Sequence, residues 1–446
     1  MTERTFQVKR DIRIGLIGIG TVGTGVAKIL LEKKRLLKLK VGIPLVLKQI
    51  ADQDLNRRRP VNLSSVVVTS KAEDIINNPE IDIVVELIGG YEPAKTFILK
   101  AISKGKHVVT ANKALLATYG EEIFAAAESA GVDVAFEASV GGGIPLIKSI
   151  KEGLVANNIE CMFGILNGTA NYILTKMTDG GTTFEAALKN AQQKGYAEAD
   201  PKFDVEGVDT AHKLAILTTL AYGTFIDFDH IYIEGINHLT PLDIQFAKEL
   251  GYCIKLLAIS RLRKDGMEMR VHPTMIPETH LLASVNRAYN ALLIRGDSVG
   301  NVLFYGLGAG MMPAGSAVVS DIVDLSRNLI KGGIQRVPAL AYIPKGRQKR
   351  PIILIDNLEC CYYFRFSALD QPGVLAKIAG ILGKHKISIV SVIQKGRKVK
   401  GSVPIVMLTH KAKEAHVKQA LKEIDKLEVV RGKTVFIRME DSLDVF

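Results

Sequence analysis

The chain has 446 residues, 47% of them hydrophobic and 23% charged, which is globular composition with room for two to four domains at roughly 150 residues each. No run reaches the roughly 20 apolar residues of a membrane span, and the polar start MTERTFQVKR lacks a signal core, so no membrane partner and a cytoplasmic location are expected. The net charge of +12 is scattered, and its densest clusters (Arg57-Arg58-Arg59 and Lys345 to Arg350) lack interleaved aromatics, which argues against nucleic acid and fits an enzyme of anionic small molecules.

The first segment alternates strand and helix patterns. Ile12 to Ile17 is a short apolar run suited to a buried parallel strand, and a helix pattern follows from Val22 to about Lys38. Further strands are predicted at Leu45 to Ala51, Val66 to Val68, Asp82 to Leu87 and His107 to Thr110, mostly with helix patterns between them. This is the signature of an α/β, Rossmann-type doubly wound parallel sheet. From about Val140 the pattern becomes mixed α+β, with helices predicted at Thr183 to Lys194, Gly207 to Tyr222 and Pro241 to Ser260. Two apolar, glycine-rich segments follow, Leu303 to Met311 and Ala314 to Asp321, and then a basic, proline-containing linker around Val337 to Pro351. The remainder reads as a ferredoxin-like βαββαβ unit: strand Tyr362 to Leu369, helix Gly373 to His385, strands Ser388 to Lys395 and Val403 to Thr409, helix Lys413 to Ile424, and a closing strand Val429 to Arg438. The expected domains are a dinucleotide-binding domain at 1–139 with a return segment at 306–335, a catalytic and dimerisation domain at 140–305, a linker at 336–358 and a regulatory module at 359–446. Four cysteines (Cys161, Cys253, Cys360, Cys361) have no metal-ligand spacing and read as free thiols.

Gly18-Ile19-Gly20-Thr21-Val22-Gly23 is a G-x-G-x-x-G set between the first strand and the first helix pattern. Gly18 permits the tight turn, Gly20 lets a pyrophosphate approach the backbone, and Gly23 allows close helix packing. A dinucleotide, NAD or NADP, is expected there. Acids after the second strand (Asp52, Asp54) favour a free ribose hydroxyl, whereas Arg57 to Arg59 favour a 2′-phosphate; the signals conflict and lean towards NADP or dual use.

Between Gly195 and Leu220 five acids (Glu198, Asp200, Asp204, Glu206, Asp209) precede one lysine, Lys213, in a helix that then becomes apolar. Asp209 and Lys213 are four apart and share a helix face with Leu217 and Leu220. A charged pair on an apolar side is costly unless it has partners or a task. A lysine drawn out of water can exchange a proton with an alcohol near neutral pH, and acids beside it can hold an amino group. An ordinary surface pair is the alternative on spacing alone. Lys113, just past the fifth strand, lies at the sheet edge where such folds bind ligands.

The motifs resemble homoserine dehydrogenase. Asn167 to Leu174 is similar to that family's NGTxNYIL segment, Gly195 to Lys213 to its GYAExDPxxDxxGxDxxxK signature, and Glu137 to Pro145 to its EASVxGGIP loop. The resemblance implies interconversion of homoserine and aspartate semialdehyde. Lys213 would be the proton donor or acceptor, Glu198, Asp204 and Asp209 would contact or orient the amino acid, and Lys113 would stand between cofactor and substrate. It further implies a monovalent cation, sodium, held largely by backbone oxygens at Glu137, Val140, Gly142 and Ile144. Gly306 to Asp321 resembles the family's GxGAGxxPTxSAVxxDI stretch and places Gly315 near the cofactor, with Ala314 where threonine is common. The C-terminal unit looks like an ACT domain, with Asp370 to Leu375 resembling its first turn. The resemblance implies threonine as effector and pairing into a homodimer or homotetramer. Removal of residues beyond about Asn357 is then expected to preserve activity. An amino-acid sensor on the same scaffold, without catalysis, is the alternative reading, and Lys213 with Asp209 speaks against it.

Overall fold

The computed structural model describes residues 10–395 and 401–440; residues 1–9, 396–400 and the end of the C-terminal module, 441–446, lie outside the described residues. The chain divides into two compact units, Met1–Glu160 with His212–Phe228 and Asn290–Lys349, and Cys161–Ala211 with Asp229–Tyr289 and Arg350–Phe446.

The first unit opens with β1 (Ile12–Ile17), α1 (Thr21–Glu32), α2 (Lys34–Val41), β2 (Leu45–Ala51), β3 (Val67–Thr69), α3 (Ala72–Ile76), β4 (Ile83–Glu86), α4 (Ala94–Ser103), β5 (His107–Thr110), α5 (Lys113–Ala130) and β6 (Val134–Ala135). The strand order is β3-β2-β1-β4-β5-β6, and every pair is parallel. This is the doubly wound dinucleotide-binding arrangement. Its strands are apolar almost throughout because helices cover both faces, and Ile12, Ile14, Leu16, Ile83 and Val85 are buried with Val26 of α1. The single helix expected from Val22 to Lys38 is two helices, since Lys33 leaves helical geometry at φ −104°, ψ 23°.

The chain continues through a 3₁₀ turn at Glu137–Ser139 and α6 (Leu146–Lys148) to β7 (Ile159–Ile165), α7 (Gly168–Gly180), α8 (Phe184–Gln193), α9 (Lys202–Val205), α10 (Val208–Tyr222), β8 (Tyr232–Ile233), α11 (Pro241–Glu249), β9 (Tyr252–Arg263) and β10 (Gly266–Pro277). The helix expected from Pro241 to Ser260 stops at Glu249. Gly251 takes a left-handed φ of +81°, and the apolar run after it becomes β9, between β7 and β10. A run buried on both faces loses its alternation, and periodicity cannot tell it from a buried helix.

Next come β11 (Tyr289–Gly296), β12 (Gly300–Leu307) and α12 (Met311–Lys331), which carries the glycine-rich segment expected at 314–321 and packs on α1. A Cβ on Gly25 would stand 2.1 Å from the Met311 carbonyl oxygen, and one on Gly315 would stand 2.8 Å from the Gly25 carbonyl carbon. The C-terminal part folds as β13 (Glu359–Leu369), α13 (Val374–Lys384), β14 (Ile389–Gln394), β15 (Ser402–Thr409), β16 (Ala412–Lys413), α14 (Glu414–Ile424) and β17 (Val435–Met439). The βαββαβ order is as expected, although the closing strand begins at Val435 rather than Val429. Tyr362, Phe364, Phe366, Ile378, Leu382, Met407 and Val417 form its core.

In the second unit this module is part of one sheet, β7-β9-β10-β17-β13-β15-β14, with β8 on β10 and β16 on β13. β17 lies parallel to β10 (Thr274 opposite Arg438, Met275 opposite Met439) and antiparallel to β13. Buried charges cross the seam. Glu440 accepts from Arg270 at 2.6 Å and from Arg261 at 2.6 Å. Burial opposes ionisation of Glu440, but the two guanidiniums outweigh it and hold the carboxyl below its usual range. Arg365 of β13 donates to both oxygens of Asp243, the third residue of α11, which closes a capping box with Thr240. His272 of β10, fully buried beside Arg438 and Arg270, is pushed well below its usual range and is neutral.

Candidate active site

The cofactor half is built in the first unit. Gly18 turns the chain at φ +93°, and a Cβ there would strike the Leu87 backbone at 2.9 Å. A Cβ on Gly23 would lie 2.1 Å from the Gly18 carbonyl oxygen, so this glycine is required by packing. Around Gly20, in contrast, a Cβ would meet nothing within 4 Å. Gly20 is the N-cap of α1, where neither a side-chain cap nor a first-turn acid engages the helix N-terminus. Ile19, Thr21 and Val22 complete the loop. The open cradle and unopposed helix end fit a pyrophosphate. Asp52, at the end of β2, accepts the Ile19 amide at 2.7 Å and the Asp54 amide at 2.9 Å. The Arg59 guanidinium stands 3.3 Å from Asp52 and donates to the carbonyls of Ile19 and Asp54. This acid is therefore committed to protein groups, while Arg57 and Arg58 are exposed.

Lys113 is the first residue of α5. It follows Asn112, which caps the helix by accepting the Leu115 amide and donates to the Gly90 carbonyl at 2.6 Å. Behind it, Thr110 donates to Glu86 at 2.7 Å, and Glu86 accepts the Ile88 amide at 2.8 Å and the Gly89 amide at 3.2 Å. Burial raises the Glu86 carboxyl above its usual range. The ends of β4 and β5 are thus fixed by one buried side chain, which sets the position of Lys113.

The cation loop expected at Glu137, Val140, Gly142 and Ile144 is largely buried in the same unit. Glu137 caps α6 with its own carboxylate, accepting the Ile147 and Lys148 amides at 2.9 Å each, while its amide donates to Asp321 at 2.7 Å. Burial, then the neighbouring Glu137, pushes Asp321 up to about 7. Gly142 (φ +56°) could carry no side chain, because a Cβ would lie 2.4 Å from the Gly308 oxygen. The Ile144 carbonyl accepts the Leu146 amide, whereas the buried carbonyls of Val140 and Gly142 accept no hydrogen bond among the described residues. Unpaired buried carbonyls are uncommon, and carbonyl oxygens are ligands that hard cations prefer. No cluster of three His, Cys, Asp or Glu suited to a metal occurs among the described residues.

The acid half is built in the second unit. Asn167 caps α7, its oxygen accepting the Ala170 amide at 2.8 Å. Its amide nitrogen donates to Asp204 at 2.7 Å and to Asp209 at 2.7 Å. One asparagine thus draws together two of the three predicted substrate acids. Asp209 is buried, Asp204 half-buried, and Glu198 is exposed on the turn after α8, where its carbonyl accepts from Gln192 at 3.1 Å. Thr169 donates to the Tyr196 carbonyl at 2.6 Å, and the Tyr172 and Tyr196 rings stand 4.8 Å apart, which ties this turn to α7. Sequence reading marked the Asn167 segment without giving Asn167 a task; its signal was an N-cap residue whose amide remains available. Lys213 is buried on α10, one helical turn beyond Asp209. Gly315 is buried against Gly25, so its visible contact is between helices.

A dinucleotide fold with an open phosphate cradle, in a chain whose α10 carries a buried acid and a buried lysine, fits an NAD(P)-dependent dehydrogenase. Residues 18–137 match the NAD-binding domain of homoserine dehydrogenase, 145–323 match homoserine dehydrogenase proper, and 362–429 match the ACT domain. The chain is 47% identical over 432 residues to the homoserine dehydrogenase of Pseudomonas aeruginosa, covering 97% of this chain and 99% of that protein. A crystal structure of homoserine dehydrogenase from Thiobacillus denitrificans matches at 47% identity with a TM-score of 0.91, over 97% of this chain and 98% of that one. A hyperthermophilic archaeal homoserine dehydrogenase in complex with NADPH matches at 26% identity with a TM-score of 0.60, over 71% of this chain and 98% of that one. The chain belongs to the homoserine dehydrogenase family.

Proposed function

We propose that the chain interconverts L-homoserine and L-aspartate 4-semialdehyde with Lys213 as the proton-exchanging group. The observation that carries this is the buried lysine one turn from an acid that Asn167 holds beside a second acid. In the oxidative direction the Lys213 amine takes the proton of the substrate hydroxyl. In the reductive direction its ammonium returns a proton to the aldehyde oxygen. NAD(P), when bound, accepts or supplies the hydride. Asp209, Asp204 and Glu198 hold the substrate ammonium, and Lys113 stands between cofactor and substrate. Gly18 to Gly23 hold the pyrophosphate, with Gly315 behind them. NADP is the preferred cofactor, because Asp52 is neutralised by Arg59 and does not repel a 2′-phosphate, and Arg57 and Arg58 supply positive charge beside it. The unpaired carbonyls of Val140 and Gly142, with Glu137 and Ile144, support a sodium site.

The division of labour follows 1–139 with 306–335 for cofactor, 140–305 for substrate and dimer contacts, 336–358 as linker and 359–446 for regulation, with threonine as the effector. Exposed Val390 and Val392 on β14, where the sheet path ends, support pairing of modules in a homodimer or homotetramer. No helix among the described residues is long and apolar enough to cross a membrane, and the four free cysteines fit the reducing cytoplasm. The test is turnover with homoserine and NADP or NAD, followed by absorbance of the reduced cofactor. Lys213→Ala is expected to lose at least a hundredfold in kcat with cofactor affinity retained. A fully active variant refutes the role.

A further inference from the structure

An ion cluster joins β17 to β8. Arg438 is fully buried on β17. It donates to Glu414 of α14 through Nε at 2.9 Å, to Glu234 at 2.7 Å and to the Tyr232 hydroxyl at 3.0 Å. The Tyr232 hydroxyl itself donates to Glu234 at 2.8 Å, and the guanidinium stands 4.7 Å from the Tyr232 ring centre. His238 stands 3.3 Å from the other Glu234 oxygen. The C-terminal module thereby grips the strand and turn at 232–236.

That turn is the backing of the acid segment. The Ile236 amide donates to the Val205 carbonyl at 2.9 Å, while the Glu234 amide is held by Val271 of β10 at 2.8 Å. Gly235 passes so close to the end of α9 that a Cβ there would lie 2.5 Å from the Val205 oxygen and 2.7 Å from the Glu206 Cα. Gly207, at φ +86°, is boxed by Ile233 and Val271, each 3.2 Å from where its Cβ would stand. Asp204 precedes these contacts by one residue, and Asp209 follows them by two. The backbone between the two acids thus rests on a turn whose only glutamate is clamped by the C-terminal strand.

We infer that Arg438 and Glu234 are positioning residues for the reaction: Arg438, from the C-terminal module, grips Glu234 on the 232–236 turn, and the pair hold that turn against α9 and so fix where Asp204 and Asp209 present their carboxylates. This rests on the assignment of those acids to the substrate ammonium. Neither residue touches the substrate, so their loss is read in substrate affinity and leaves the cofactor loop unchanged. Glu234→Gln keeps shape and hydrogen bonding but removes the charge that Arg438 grips. In the full-length protein it is expected to raise KM for homoserine about tenfold, or about 1.4 kcal/mol, with KM for NADP unchanged and kcat within threefold. Tyr232→Phe removes only the shared hydroxyl; it gives the same split at about threefold and serves if Glu234→Gln does not fold. A variant that melts earlier but keeps the wild-type KM for homoserine overturns the inference, as does an equal rise in both KM values. Wild-type turnover is measured alongside. A wild-type chain inactive on homoserine overturns the functional reading and this inference with it, whereas an active wild type with unaltered variants overturns the positioning role alone.

Discussion

Asn167 does two separable things. Its oxygen caps α7, and its amide nitrogen bridges Asp204 and Asp209. An aspartate at this position would still cap, because aspartate is as good an N-cap as asparagine, so in Asn167→Asp the start of α7 keeps its cap. The substitution would also replace the bridging donor with a third carboxylate. Two charge-assisted hydrogen bonds, each of about 1.5–3 kcal/mol, are lost, and like-charge repulsion is added. KM for homoserine is expected to rise at least tenfold, measured by initial rates at saturating cofactor. An unchanged KM would show that the acids hold their positions without the bridge. Sequence spacing exposed Asp204, Asp209 and Lys213 because acids before a lysine on an otherwise apolar face are conspicuous. It gave no hint of the bridge, since a donor that reaches across some 40 residues leaves no periodicity. The loop at 137–144 left no signal of its own for a related reason: carbonyl oxygens belong to every residue type, and only the fold shows that those of Val140 and Gly142 accept no hydrogen bond among the described residues.

At the scale of elements, glycines close together in sequence have different tasks. Gly20 faces open space, whereas Gly25 is pressed against the start of α12. Gly20→Ala should therefore leave the melting temperature near wild type while weakening NADP binding, read by titration of the free protein. Gly25→Ala forces α1 and α12 apart, at a cost of about 1–3 kcal/mol, and should lower the melting temperature by several degrees. If Gly20→Ala binds NADP normally, the glycine loop is not the phosphate cradle. The six-stranded sheet was legible because buried parallel strands and intervening helices differ in length and period. β9 was not, because its central residues 254–260 are buried on both sides and the strand follows α11 after a two-residue turn at Leu250 and Gly251. The closing strand was placed early for a simpler reason: Val430 does pair with Ala368 of β13, but only as an isolated bridge, and continuous pairing resumes at Val435.

The whole molecule turns on how the ACT module is joined. Sequence reading treats it as an appendage behind a linker, so that deletion beyond about Asn357 spares activity. The structure argues otherwise. β17 lies between β10 and β13, Arg270 and Arg261 are balanced by Glu440, and Arg365 binds the capping acid of α11. Deletion would strip β10 of its neighbour and leave Arg270 buried beside Arg261 with Glu268 as the remaining nearby acid. Breaking a buried ion pair by removing one partner costs about 3–5 kcal/mol, a large part of the roughly 5–15 kcal/mol that holds a typical domain. The truncated chain is expected to be insoluble or to melt roughly 10 °C or more below full length, with activity lost in proportion. Glu440→Gln, which keeps the sheet but removes the charge, should fall between the two. A truncated chain that is as stable and active as the full-length protein would make the module a detachable sensor. Loss of stability on truncation would mean that the module is an integral part of the sheet, joined through β17 to β10, the strand that holds the turn backing Asp204 and Asp209.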